Sequence, residues 1–125
     1  MKLRRRILVF DAADLTAESR FWAGVLGGTV DAEDDWHTVF VDGKPELAVQ
    51  LAPNHVPPEW PDGTPQQSHL DLWVEDVDAA HDEVMSLGAK CLKPAEDRPP
   101  EAADNYQVYA DPAGHPFCLC WDIKR

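Results

Sequence analysis

The chain has 125 residues, of which 44% are hydrophobic, enough for a compact core and too many for a disordered chain. It carries 11 Lys and Arg against 23 Asp and Glu, a net charge of −12. Because six of the basic residues lie at the two ends, residues 7–123 hold 5 basic and 23 acidic side chains, a net charge of −18. Nucleic acids and anionic membranes would repel such a body, so neither is an expected partner. Solubility alone would also explain the charge.

The amino terminus and the cysteines favour a cytoplasmic protein. The basic start is followed by the apolar run Ile7–Phe10, which stops at Asp11 and is shorter than the roughly 7–15 apolar residues of a secretory signal. The chain has three cysteines, whereas small secreted domains usually have an even set for disulfides. Cys118 and Cys120 share one face of a predicted strand. We predict buried free thiols there, with metal binding as the weaker alternative.

The first half of the chain predicts one helix and four strands. Asp14 is suited to cap a helix whose apolar residues recur at helical spacing until Gly27-Gly28. Asp42-Gly43 is a typical hairpin turn. The predicted strands are Arg6–Phe10, Thr29–Asp31, Thr38–Val41 and Leu47–Leu51.

The second half repeats this order after a proline-rich stretch. Five prolines between residues 53 and 65 exclude regular helix or central strand. Asp76 then begins a helix that Gly88 ends, and Asp111–Gly114 predicts a turn. The predicted strands are Ser68–Val74, Lys90–Leu92, Gln107–Tyr109 and Phe117–Trp121.

The two halves therefore predict a duplicated β-α-β-β-β unit. The helix-capping acids Asp14 and Asp76 are 62 residues apart, and a Leu-Gly pair ends each helix. Units of about 60 residues are marginal alone and should share a core. We predict one domain over residues 1–125, with a first module at 1–53, a linker at 54–67 and a second module at 68–125.

Several short motifs in this order resemble those of one protein family. They are Asp14…Phe21-Trp22…Leu26-Gly27, Trp60-Pro61-Asp62, Gln66-Gln67-Ser68-His69-Leu70-Asp71-Leu72, Asp76-Val77-Asp78-Ala79-Ala80, Leu87-Gly88-Ala89 and Asp111-Pro112-Ala113-Gly114-His115-Pro116-Phe117-Cys118-Leu119. Together they resemble the glyoxalase-like branch of the vicinal oxygen chelate superfamily. The resemblance implies an α+β fold in which two βαβββ modules form a curved mixed-sheet cup, with helices outside and a small-molecule cavity inside. It also implies a homodimer.

The resemblance further implies four metal-ligand positions, taken from the first and last strand of each module. In this sequence they are Ile7, Gln50, His69 and Cys118, where metal-using relatives carry His or Gln and Glu. Ile7 cannot bind a metal, and one imidazole, one amide and one thiol form a weak set. We therefore expect no cofactor. The alternative is one zinc-like divalent ion held by Gln50, His69 and Cys118, with Asp71 as a further oxygen donor.

His69 and Asp71 are the candidate catalytic residues, since they share one face of a predicted strand. His69 could act as a general base near neutral pH, oriented by Asp71. The alternatives are a structural histidine and a nucleophilic couple of His69 with Cys118. The other histidines lack ligand spacing and are predicted to be surface or turn residues. They are His37, His55, His81 and His115.

The cavity is predicted to bind a neutral or cationic small molecule. Trp73 shares the His69 face and should line the cup with Gln50, His69 and Cys118, together with some of Trp36, Trp60, Tyr106, Tyr109 and Trp121. Acidic loops at residues 31–35 and at Glu96, Glu101 and Asp104 could favour cations at its rim, or could simply be solvated. Three function classes compete: a sequestering binder of the drug-resistance type, a metal-dependent lyase, isomerase or dioxygenase, and a metal-free enzyme using His69 as base.

Overall fold

The computed structural model describes residues 1–60, 62–93 and 105–122. These residues form two compact units, 1–56 and 57–125, and each is described by itself. The boundary after Val56 falls within the predicted linker 54–67. None of the helices in the described ranges is long and apolar enough to span a membrane.

The first unit has one helix and a four-stranded mixed sheet. Its elements are β1 Leu8–Ala12, α1 Leu15–Leu26, β2 Thr29–Ala32, β3 Trp36–Val41 and β4 Lys44–Leu51. The strand order is β1-β4-β3-β2, with β1 parallel to β4 and the other pairs antiparallel. Asp42 and Gly43 both have positive φ, 51° and 76°, as a two-residue hairpin turn between β3 and β4 requires.

The second unit repeats this arrangement. Its elements are β5 Leu70–Trp73, α2 Val77–Leu87, β6 Lys90–Lys93, β7 Tyr106–Ala110 and β8 Pro116–Cys120. The strand order is β5-β8-β7-β6, and β5 is parallel to β8. The predicted α+β fold of two βαβββ modules is thus confirmed.

The helix ends follow the capping residues that the sequence indicates. Asp14 accepts a hydrogen bond from the Ala17 amide at 3.0 Å, and Asp76 accepts one from the Ala79 amide at the same distance. Gly27 ends α1 at φ 70°, and Gly88 ends α2 at φ 114°. Other residues rarely adopt this left-handed backbone, so glycine suits both positions.

Two of the histidines predicted to be surface or turn residues are buried. His37 on β3 is 8% exposed, and its Nδ1 lies 2.9 Å from the Ser19 hydroxyl, so the prediction of a surface residue was wrong. His115 is 7% exposed and does follow the predicted turn. Asp111 fixes it there by accepting hydrogen bonds from its amide and its ring. In both imidazoles a side-chain partner at Nδ1 offsets part of the cost of burying a polar ring.

Candidate functional site

A cavity of about 390 Å³ opens on one face of the second sheet. Strands β5, β7 and β8 supply seven of its eleven lining residues, the segment before β5 supplies three, and Asn105 immediately precedes β7. The lining residues are Trp60, Gln66, His69, Asp71, Trp73, Asn105, Tyr106, Val108, Pro116, Cys118 and Cys120. Its volume is that of a small-molecule site, and its lining combines aromatic groups with a few polar ones.

Strand register arranges the cavity floor in rows. Asp71 on β5 is paired with Cys118 on β8, which is paired with Val108 on β7. Residues two apart along a strand point to the same face, so alternate residues of β5 and β8 converge on the cavity. This periodicity explains why a His-x-Asp-x-Trp and a Cys-x-Cys pattern lie side by side.

Asp71 is the polar centre of the floor. Its Oδ1 lies 3.1 Å from Nε2 of His69, and both side chains are about half exposed. Asp71 also accepts a hydrogen bond from the Cys118 thiol. The predicted contact between His69 and Asp71 is therefore present, and Cys118 joins it.

The thiols are held in their protonated form. Burial raises the pKa of Cys118 to about 12, with further contributions from the charge of Asp71, from Cys120 and from the hydrogen bond to Asp71. Burial and then Asp71 also raise the pKa of Cys120. A reactive cysteine needs a lowered pKa, so this environment opposes a nucleophilic couple of Cys118 with His69.

Four of the five candidate residues that the sequence indicated lie together in this cavity. They are His69, Asp71, Trp73 and Cys118. The fifth, Gln50, is an exposed residue of β4 in the first unit, and its role in ligand binding stays a prediction. In the strand register, Gln50 is paired with Asp11 on β1 and Trp36 on β3. Cys120 is paired in the same way with Trp73 on β5 and Tyr106 on β7, so Gln50 is the first-unit counterpart of Cys120.

The strand register gives Cys118 a different first-unit counterpart from Gln50, the position that the resemblance implies. In the two parallel strand pairs, Val9 is matched with Ala48 as Asp71 is matched with Cys118. Ala48 thus occupies the equivalent position, and its methyl group cannot bind an ion.

Sequence signals are weaker for the remaining lining residues. Of the aromatic candidates, Trp60 and Tyr106 line the cavity, whereas Tyr109 and Trp121 are almost fully buried. Gln66, which belongs to the predicted linker, is fixed by donating a hydrogen bond from Nε2 to the Pro116 carbonyl at 3.0 Å. Alternation with Cys118 could have identified Cys120.

The donor set of this cavity fits a soft ion better than a hard one. His69, Asp71 and Cys118 each offer one ligand atom, and these atoms lie within 4.8 Å of one another. Nitrogen, oxygen and sulfur donors suit zinc-like ions, whereas magnesium-like ions require mostly oxygen. Of the family's first-module positions, Ile7 has no donor. The predicted acidic rim residues Glu96, Glu101 and Asp104 lie outside the described residues.

Comparisons with known proteins agree on the family and on the fold. The family model for the glyoxalase-like domain matches residues 7–120. Fosfomycin resistance protein FosX from Mesorhizobium loti has 17% identity and a TM-score of 0.66, over 98% of this chain and 94% of that one. A glyoxalase-related enzyme from Fulvimarina pelagi has 20% identity and a TM-score of 0.65, over 96% and 89%. A search of curated proteins gave no match.

A further similar structure carries ligands. It is a FosX variant from Listeria monocytogenes complexed with Mn(II) and 1S,2S-dihydroxypropylphosphonic acid, with 14% identity and a TM-score of 0.64, over 96% of this chain and 90% of that one. At these identities the structures establish the fold alone. The family model covers nearly the whole chain, and the chain therefore belongs to the glyoxalase-like domain family.

Proposed function

We propose that this protein binds and sequesters a neutral or cationic small molecule in the second-unit cavity, without chemical conversion. The observation that carries the proposal is the composition of the lining. It holds three large aromatic side chains and a single carboxylate, Asp71, and none of the described lining residues is Lys or Arg. Aromatic walls favour a flat or apolar ligand, and a carboxylate with no Lys or Arg beside it in the described lining favours a cation.

Charge also argues against anionic ligands such as the phosphonate bound by the Listeria FosX variant. Phosphonates and phosphates are usually held by guanidinium groups, ammonium groups, metal ions or helix N-termini. The lining described for this cavity offers no guanidinium or ammonium group, and the body carries a net charge of −18 over residues 7–123. An anion would lose its hydration and gain no guanidinium or ammonium partner from the described lining.

A ligand screen tests the proposal. Binding is followed by thermal shift and by tryptophan fluorescence, since Trp60 and Trp73 line the cavity and Trp73 is 61% exposed. We expect cationic and neutral aromatic compounds to raise the melting temperature and to change the fluorescence, and their anionic analogues to do neither. The compound is recovered afterwards and should have an unchanged mass. A preference for anions would refute the proposal.

A metal-dependent lyase, isomerase or dioxygenase is the second candidate. It is favoured by the convergence of His69, Asp71 and Cys118 within 4.8 Å. Protein stripped with a chelator and reloaded with zinc, nickel, manganese or iron is measured by elemental analysis. Under the sequestration proposal no ion stays bound after gel filtration. One ion held per chain, and lost in Cys118→Ser, would favour the second candidate.

A metal-free enzyme that uses His69 as general base is the third candidate. It is favoured by the 3.1 Å contact between His69 Nε2 and Asp71 Oδ1, since a carboxylate can orient a catalytic imidazole. The test is the mass of the ligand recovered after incubation with the protein. A compound that changes mass with the natural protein but binds unchanged to His69→Gln would establish this role.

We also propose that the protein is a cytoplasmic homodimer. The three cysteines are free, which is usual in a reducing compartment. The homodimer follows from the resemblance to the family. Light scattering coupled to gel filtration should give twice the chain mass of 14.0 kDa, and a monomer at micromolar concentration would exclude it.

A further inference from the structure

One row of the cavity floor forms a slot with aromatic walls. Trp73 on β5 and Tyr106 on β7 are both register partners of Cys120 on β8, which lies between them. All three residues line the cavity. A small side chain between two large ones leaves a gap above Cys120 that the aromatic rings flank.

The width of this gap suits one aromatic ring. Neighbouring strands lie about 4.8 Å apart, so the backbones of β5 and β7 are separated by roughly 9.5 Å. With each wall ring upright over its own strand, a ligand ring centred between them would lie about 4.8 Å from each, within the range of about 4.5–7 Å that favourable aromatic pairs adopt. One planar group can therefore contact both walls.

Both walls of the slot are exposed to solvent. Trp73 is 61% exposed and Tyr106 is 42% exposed, although both are large apolar groups. A planar ligand would remove apolar surface of both walls from water. The first unit has no such slot, since the equivalent row there is Asp11, Gln50 and Trp36.

The charge of the cavity lies one row away from the slot. Asp71 precedes Trp73 by two residues on the same face of β5, which corresponds to roughly 6.6 Å along the strand. None of the described lining residues is Lys or Arg, and the basic group next to Asp71 is the His69 imidazole, 3.1 Å from its Oδ1. A cationic nitrogen at this distance from a ring in the slot would meet the carboxylate.

We propose that the cavity recognises an aromatic cation, with its ring between Trp73 and Tyr106 over Cys120 and its protonated amine on Asp71. This inference rests on the proposed sequestering function and narrows the ligand to one chemical class. It sets two requirements. The ring must be planar, and the charged nitrogen must lie about two strand residues away from the ring, roughly 6–7 Å.

A homologous series of amines tests the spacing. Benzylamine, phenethylamine, phenylpropylamine and phenylbutylamine are titrated by tryptophan fluorescence, with uncharged phenylpropanol and anionic phenylpropionate as matched probes. We expect the affinity of the amines to peak at an intermediate chain length. Phenylpropanol should bind about tenfold or more weakly than phenylpropylamine, because it lacks the charged contact with Asp71. Equal affinity for the amine and the alcohol, or affinity that simply rises with chain length, would overturn the inference.

Three substitutions assign the contacts. Asp71→Asn should lower the affinity for the amines about tenfold or more and leave the affinity for phenylpropanol unchanged. Trp73→Ala and Tyr106→Ala should each lower the affinity for the amines and for phenylpropanol about tenfold. The matched controls are Asp82→Asn and Met85→Ala on α2, which are exposed residues outside the cavity lining. Both controls should bind as the natural protein does. Circular dichroism melting confirms that each variant is folded.

The outcomes separate this inference from the function on which it rests. If no neutral or cationic compound in the wider screen binds, the proposed function fails and the inference fails with it. If compounds bind but none depends on Trp73, Tyr106 or Asp71, the cavity is a binding site and only the aromatic-cation inference is refuted.

Discussion

The thiol of Cys118 should be unusually slow to react, because its environment keeps it protonated. Burial, assisted by Asp71, raises its pKa from 9.0 to about 12. At pH 8 the thiolate fraction of an ordinary cysteine is about one in ten, and that of Cys118 is about one in ten thousand. Since the thiolate is the reactive form, alkylation should be slower by about a thousandfold from this cause alone.

The assay is timed labelling with iodoacetamide at pH 8 in the presence of a chelator, followed by mass mapping of the Cys118 peptide. Labelling in the native protein is compared with labelling in urea, where burial is lost. Asp71→Asn should speed native labelling severalfold or more, because it removes the charge next to the thiol. It should not restore the rate seen in urea, since burial is the largest cause of the shift.

Asp82→Asn, an exposed acid on α2, is the control and should leave the labelling rate unchanged.

The raised pKa of Cys118 also predicts a pH dependence of stability. A thiol with a raised pKa in the folded state stabilises the protein below its unfolded pKa, and that contribution disappears as the pH rises from about 9 through 12. Cys118→Ala should lose less stability over this window. Native Cys118 that reacts at pH 8 as fast as the unfolded chain would refute the reasoning.

Three further predictions concern the stability of the two units, each measured as the free energy of unfolding in urea. Asp76→Ala removes the cap of α2 and should cost about 1 kcal/mol, whereas an unchanged midpoint would exclude a capping role. Gly114→Ala should cost more, about 1–3 kcal/mol, because φ is 92° and the new Cβ would lie 2.5 Å from Cβ of Pro57. Ser19→Ala should cost about 1–3 kcal/mol, because it leaves the buried His37 imidazole without its hydroxyl partner; Ser19→Thr is expected to cost less.

The sequence predicted the fold well because local signals define its elements. The capping acids, the helix-ending glycines and the Asp-Gly turn each act within a few residues, and each occupies its predicted position. Strand ends were less accurate. The first strand was predicted as Arg6–Phe10 and is Leu8–Ala12, because pairing with β4 rather than local composition decides where it begins.

The site was predicted in part, and the missing part depends on tertiary structure. Alternation along one predicted strand placed His69, Asp71 and Trp73 on one face, and all three line the cavity of the second unit. Trp60 and Gln66 line the cavity from outside the strands, and Gln66 is held by a hydrogen bond to the carbonyl of Pro116, fifty residues away. No local periodicity encodes such a contact. The burial of His37 likewise depends on Ser19, eighteen residues away.

The two units show that fold and chemistry are carried by different residues of the same repeat. Asp14 and Gly27 have counterparts in Asp76 and Gly88, and both sheets have the same strand order. The rows on one sheet face have diverged instead. Asp71, Cys118 and Val108 in the second unit are matched by Val9, Ala48 and Thr38 in the first.

This divergence bears on the choice among the three candidate functions. A metal centre of the family's kind draws ligands from both modules, as the resemblance implies; in the first module Ile7 supplies none, and Gln50 offers only a neutral amide. The carboxylate, the two thiols and the exposed aromatic walls are instead concentrated on one sheet of the second unit. Recognition of an organic ligand needs only a shaped surface with one well-placed charge, and a single sheet can provide that. The weak donor set of the first unit and the aromatic slot proposed in the second therefore both favour the proposed binding over metal-dependent catalysis.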